Sequence, residues 1–115
     1  MQDLKKRTKI FALECWKLCR LIPKTREYDA IVRQLIRSSS SVAANYRSAN
    51  RAKSDRDFIN KLKIVEEEAD ESQFWLEFLY ETFDDKHQEI QRLIKEADEL
   101  IAIFVASIKK VKGRL

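Results

Sequence analysis

Apolar side chains recur along this chain at alternating steps of four and three residues. That spacing places them on one stripe of an α-helix. The first series is Leu4, Thr8, Phe11, Cys15, Leu18 and Ile22, and it predicts a helix over about 3–22. Asp3 can cap its start, and Pro23 keeps the residue before it out of comfortable helical geometry. Ile31, Leu35, Ser38, Val42, Tyr46 and Ala49 predict a second helix over about 28–50. A third, over about 54–83, carries Phe58, Leu62, Val65, Ala69, Ser72, Leu76, Leu79 and Phe83 on one stripe. Ser54 is its cap, with Asp57 three residues on as an approximate capping box. A fourth, over about 85–112, has a broad apolar face: Ile90, Leu93, Ile94, Ala97, Leu100, Ile101, Phe104, Val105, Ile108 and Val111. Lys109, Lys110 and Lys112 suit the negative end of its dipole, and Gly113 is placed as its C-terminal cap.

The connections near 23–27, 51–54 and 84–86 are short, so neighbouring helices run antiparallel. The expected fold is all-α, an antiparallel up-down-up-down four-helix bundle, in one domain spanning 1–115. Composition agrees. One glycine and one proline in 115 residues leave almost no material for the turns a sheet requires. That length supports one core and not two. No apolar run reaches the ~18–20 residues of a membrane span, and "MQDLKKRTKI" lacks the apolar block of a secretory signal. A cytoplasmic protein with no membrane association is expected. Cys15 and Cys19 lie one turn apart on a helix, which suits reduced, packed thiols better than a disulfide framework.

The segment "RSSSSVAANYRSANR", from Arg37 to Arg51, breaks the monotony. Serine and alanine at core positions let two helix axes approach closely, and a serine hydroxyl can bond back to a carbonyl of the preceding turn. At roughly 100° per residue, Arg33, Arg37, Arg47 and Arg51 fall within about 80° of one another. Ser40 and Ala44 lie between them, and within the helix the one acid a turn away from any of them is Asp29, before Arg33. These four arginines are the candidate nucleic-acid-binding residues, set against plain solvation of a charged face.

The third helix is apolar beyond its core stripe. Phe74, Trp75 and Phe78 point away from that stripe, with Ile64 further up. A four-helix bundle offers nothing to cover a second apolar face. Ile64, Phe74, Trp75 and Phe78 are therefore the candidate oligomer interface. The net charge of +4 hides an asymmetry that favours polyanion contact or self-association between unlike faces. Residues 24–63 are mostly basic, 66–85 carry nine acids and no Lys or Arg, and both ends of the chain are basic.

Catalytic chemistry finds no foothold. The run Glu66, Glu67, Glu68, Asp70, Glu71 lacks the Glu-x-x-His pairs of a di-metal bundle. The one histidine, His87, supports neither a Cys-His nor a Ser-His-Asp grouping. There is no Gly-rich phosphate loop. No enzymatic activity, metal or cofactor is expected.

The stretch "RSSSSVAANYRSANRAKSDRDFINKLKIVEEEADESQFWLEFL" resembles the central signature of a bacterial four-helix-bundle family. That family includes proteins encoded in ribosomal RNA intervening sequences. Arg37, Ser41, Val42, Asn45, Tyr46, Ser54 and Phe58 match its pattern in order. Ala43 replaces a frequent proline, and Arg47-Ser48-Ala49 replaces an Ala-Glu-Gly run, so no acidic role carries over to Ser48. The resemblance implies a four-helix protomer and, from some relatives, a homo-oligomeric barrel, a pentamer. It transfers no catalytic residue. A more distant likeness, to the accessory protein of diversity-generating retroelements, implies contact with nucleic acid and with a protein partner. Two functions follow as expectations. One is an oligomer that binds RNA or DNA through the helix-two arginines. The alternative is a protein-only scaffold whose arginines pair with acids of a neighbouring subunit or partner.

Overall fold

The computed structural model describes residues 3–115, so residues 1 and 2 of the expected domain lie outside the described residues. Four helices follow one another: α1 (Leu4–Cys19), α2 (Arg26–Ala49), α3 (Asp55–Thr82) and α4 (His87–Lys112). The all-α architecture expected from the periodicity is the one observed. α2 packs between α1 and α3, α4 closes the other side, and α1 and α3 stand diagonally opposite, their backbones held apart. The particle measures 48 × 22 × 19 Å, elongated along the helix axes.

The helix ends show which local signals were legible. The Asp3 carboxylate accepts the Lys6 backbone N–H at 3.1 Å, as expected of a cap. α1 stops at Cys19 rather than near 22, because its last turn tightens. The N–H groups of Leu21 and Ile22 donate to carbonyls three residues back, at 2.9 and 3.3 Å. Ile22 is thereby tucked into the core although it is no longer helical. α2 begins at Arg26 rather than 28, because the Thr25 hydroxyl accepts the Tyr28 N–H at 3.1 Å. α3 starts and ends within a residue of expectation. Ser54 caps Asp57, and the Asp57 carboxylate reaches back to the N–H of Lys53 rather than that of Ser54. α4 begins at His87, not 85. Lys86 adopts the left-handed conformation (φ 61°), and the Asp85 carboxylate accepts its N–H at 2.8 Å. Gly113 does stand at the C-cap of α4 but in right-handed geometry (φ −63°), so its conformational freedom is not used.

The core follows the predicted stripes with adjustments in every helix: Leu4, Ile31 and Tyr46 only lean against it, and Cys19 and Ser39 join the buried set. In α3 Ile59 is buried, whereas Phe58 and Phe83 only lean against the core. In α4 the fully covered row is Ile90, Leu93, Ala97, Leu100, Phe104, Ile108 and Val111, with Ile94 and Ile101 half-buried along its edge. Each large apolar side chain moved out of water contributes roughly 1.5–3 kcal/mol before entropy is counted. Leu35, Val42, Leu62, Val65, Leu76 and Phe104 are among those fully covered.

The serine run serves the α2–α3 contact. Ser38 and Ser72 are fully buried and face each other. The Ser72 hydroxyl donates to Ser38 Oγ at 2.9 Å, with the Glu68 carbonyl equally near, and Ser38 reaches the Leu35 carbonyl at 3.3 Å. Small side chains bring the helices together, and their hydroxyls are satisfied without water. Among the described residues no buried polar side-chain atom lacks a partner. The thinner α1–α4 seam is closed by charge. Arg7 of α1 grips Glu96 with two nitrogens, at 2.8 and 2.7 Å, and also meets Glu99. Arg92 of α4 returns the arrangement to Glu14.

Cys15 and Cys19 are free thiols facing the interior. Burial raises both, Cys15 well above the usual thiol range and Cys19 to about 12.

Ser38→Leu forces a branched side chain into the α2–α3 contact and should cost ~1–3 kcal/mol, read as a drop in Tm of roughly 5–12 °C. Ala106→Leu, on the exposed face of α4, should leave Tm within error. The thiols should react with iodoacetamide roughly 10²–10³-fold more slowly in native than in unfolded protein near pH 8. Both are neutral in the fold and ionise from about 9 when unfolded. Their contribution is therefore intact below about pH 9 and is lost as pH rises through about 12.

Candidate functional site

The four arginines singled out from the sequence share a face of α2 but do not converge. At 1.5 Å per residue, Arg33 and Arg51 stand roughly 27 Å apart along the axis. Arg51 already lies in the turn that follows α2. Arg37 and Arg47, separated by about 80° around the helix, lean to opposite flanks. Arg37 turns toward α3 and binds Glu68 at 3.0 Å and Glu71 at 2.5 Å. These hydrogen bonds hold Arg37 still more firmly protonated and keep the Glu71 carboxyl below the usual carboxylate range. The Trp75 indole N–H donates to the same Glu71 oxygen at 3.1 Å. Arg37 thus meets acids of its own chain. Arg47 leans toward α1, and Arg33 and Arg51 are exposed.

A different cationic site emerges from the topology. Because adjacent helices alternate in direction, the start of α1, the end of α2, the start of α3 and the end of α4 share one pole. Arg114, beyond α4, binds Asp55 at the start of α3 at 3.2 Å. Lys5, Lys6 and Lys9 come to this pole from α1, and Arg47 and Arg51 from α2. Lys53 and Arg56 come from the α2–α3 junction, and Lys109, Lys110 and Lys112 from α4. All ten are exposed, and none of them forms a salt bridge among the described residues. The acids there are Asp3, Asp55 and Asp57, and each is engaged: Asp3 in its cap, Asp55 with Arg114, Asp57 with Lys61. The charge of this pole is therefore left over, not cancelled. The opposite pole mixes both signs, with Arg26, Arg33 and Lys86 among Glu27, Glu77, Glu81, Asp84 and Asp85.

The apolar candidates also divide. Phe74 is 53% and Phe78 41% exposed, their ring centroids 6.3 Å apart. Trp75 is half-buried against the core and stacks edge-on to Phe74 at 4.9 Å. Ile64 is exposed but stands nearly three turns away, outside the aromatic cluster.

Sequence reasoning passed over a second apolar surface. α1 exposes Ile10, Leu13 and Trp16 beside its core stripe. Leu13 and Trp16 form one wall of a groove of about 520 Å³ between α1 and α2. The small residues Ala12, Ser39, Ser40, Ala43 and Ala44 line it together with Ile36. Lys5, Lys9 and Arg47 stand along it. The signal was present, since Ile10, Leu13 and Trp16 are large apolar residues off the Leu4–Ile22 stripe.

Among the described residues no group of His, Cys, Asp and Glu is arranged to hold a metal ion. No helix there is long and apolar enough to cross a membrane. Residues 2–106 match the family described as 23S rRNA-intervening sequence protein. The crystal structure of a protein with unknown function from the S23 ribosomal protein family of Bacteroides thetaiotaomicron is also similar. It has a TM-score of 0.83 and 30% identity, over 91% of this chain and 97% of that one. No curated protein matches the sequence. The four-helix architecture, the Arg37–Phe58 signature and this match agree: the chain belongs to the 23S rRNA-intervening sequence protein family.

Proposed function

We propose that this chain is a non-enzymatic, homo-oligomeric helical bundle of the cytoplasm that binds nucleic acid through its basic pole. One observation carries the reading. The fold gathers exposed cations from all four helices at one end of the rod, and the three acids there are engaged elsewhere. A polyanion would supply the missing counter-charge. Arg47 and Arg51 belong to this pole, so two of the four sequence candidates remain central to the reading. Arg33 lies toward the other end, and Arg37 is neutralised by Glu68 and Glu71.

The pole consists of helix ends rather than a helix face that could enter a groove. Long flexible side chains there suit phosphate contacts, which fix position without reading sequence. Arginine adds bidentate phosphate geometry, and lysine adds point charge. The family's name refers to ribosomal RNA, which makes duplex RNA the first ligand to try. A protein-only scaffold is the second reading, favoured by Arg37 being spent on acids of its own chain.

Titration of a structured RNA duplex and of the corresponding DNA at several salt concentrations decides between them. Affinity should fall steeply with salt. A protein that neutralises about six phosphates loses roughly 10³-fold between 50 and 200 mM. The triple variant Arg51→Glu, Lys110→Glu, Lys112→Glu should bind at least about tenfold more weakly. Its salt slope should be shallower by roughly 0.9 for each phosphate it no longer neutralises. Arg33→Glu should bind as wild type does. Undiminished binding by the triple variant removes the pole from consideration, and no binding to either duplex at low salt favours the scaffold.

A further inference from the structure

We propose that the pocket at the α2–α3 junction, inside the basic pole, receives one unpaired nucleotide of the bound nucleic acid, at a strand end or in a bulge. The inference rests on the pole being a nucleic-acid surface and adds to that reading a place for a base.

The pocket holds about 360 Å³ and lies where the end of α2, the start of α3 and the end of α4 meet. Small residues create it: Ala49 is the last residue of α2, and Ala52 stands in the junction. Phe58 of α3 and Val111 of α4 complete an apolar lining. Phe58 also leans against the core, so its ring is held in place by packing.

Polar groups join that lining. Asn50 is exposed, and its side-chain amide makes no hydrogen bond among the described residues. An amide carries donor and acceptor together, which suits the edge of a base. Arg114 is fixed by Asp55, which accepts from two of its nitrogens at 3.4 and 3.2 Å. The pairing meets the charge of the carboxylate and steadies a guanidinium plane of the kind on which bases stack. Lys53 belongs to the lining, and Arg51, Arg56, Lys110 and Lys112 adjoin lining residues along the chain. All five are exposed, and among the described residues none forms a salt bridge.

The combination selects the ligand. A bare phosphate leaves the apolar lining unused, and an apolar molecule leaves the amide and the cations unsatisfied. A nucleotide matches all three: base to the lining, base edge to Asn50, phosphates to the lysines and arginines. More cations surround the pocket than one phosphate needs, which favours a nucleotide within a strand over a free one. A paired base is excluded, because its faces are covered by stacked neighbours and its edge by its partner. Contact by stacking is tolerant of sequence. The pocket therefore asks that a base be unpaired, not which base it is.

A set of RNA duplexes at one fixed salt concentration is the test, read by fluorescence anisotropy. One is blunt, one carries a single unpaired adenosine at a 3′ end, and one carries an abasic residue there. A further pair places the adenosine or the abasic residue as an internal bulge. In at least one position the adenosine should bind roughly tenfold more tightly than the blunt duplex. The abasic residue, which adds the same phosphate, should stay within about twofold of it. Ala52→Leu fills the pocket and should bind the blunt duplex as wild type does while losing the gain. Circular dichroism checks its fold. Asn50→Ala, at an exposed position, should lose part of the gain and serves alone if Ala52→Leu misfolds. None of the lining residues is altered in the triple variant of the pole, so the two sets of variants report separately. Equal binding of the blunt, overhanging and bulged duplexes overturns the pocket and leaves the basic pole standing. A gain that the abasic residue shares, or that both variants keep, also overturns it. A protein that binds none of the duplexes removes the nucleic-acid reading and this inference with it.

Discussion

Three short connections govern this molecule. Residues 20–25, 50–54 and 83–86 are too few to carry the chain back along a helix, so every helix must reverse direction beside its predecessor. The apolar stripes then face inward, and the rest of the architecture follows. Reversal also sorts charge. Basic residues that are far apart in sequence, near Lys5, Arg51 and Lys110, arrive at the same end of the rod. A chain with the same composition and parallel neighbours would scatter them.

Small side chains on α2 do two different jobs on two flanks. Toward α3, Ser38 disappears into contact with Ser72. Leucines there would hold the helices apart and leave less of the rest of the seam in contact. Toward α1, Ser39 is buried and its hydroxyl donates to the Ile36 carbonyl at 3.4 Å, while Ser40, Ala43 and Ala44 line a trough beside larger neighbours. The same residue types thus close one seam and open another. The difference lies in what faces them: Ser72 on one side, Leu13 and Trp16 on the other.

The stripes were legible in the sequence because helical periodicity is local. Phe11, Leu35, Leu76 and Leu100 needed no knowledge of their partners to be assigned inward. Capping was legible where the residue type is distinctive, as at Asp3 and Ser54, and missed at Thr25, which sits just beyond Pro23. Phe58 and Ile59 both fit a helical spacing to Leu62, and the bundle turns Ile59 inward, because the direction of a helix face is set by its neighbours. The arginine face was legible in the sequence as a gathering of positive charge on α2. Its partners were out of reach, since Glu68 and Glu71 are about thirty residues away and meet Arg37 only after α3 folds back. The basic pole was visible as three separate runs whose union depends on topology. The α1 groove was missed because Ile10, Leu13 and Trp16 fall beside a convincing core stripe and draw no notice once that stripe is assigned.

The leftover charge lies at one end of a body more than twice as long as it is wide. Such a particle carries a permanent dipole close to its long axis. In the field of a highly charged polymer it feels a torque as well as an attraction, and it swings end-on before any contact forms. Productive encounters would then no longer wait on random tumbling, and adding electrolyte would slow capture before it loosened the captured state.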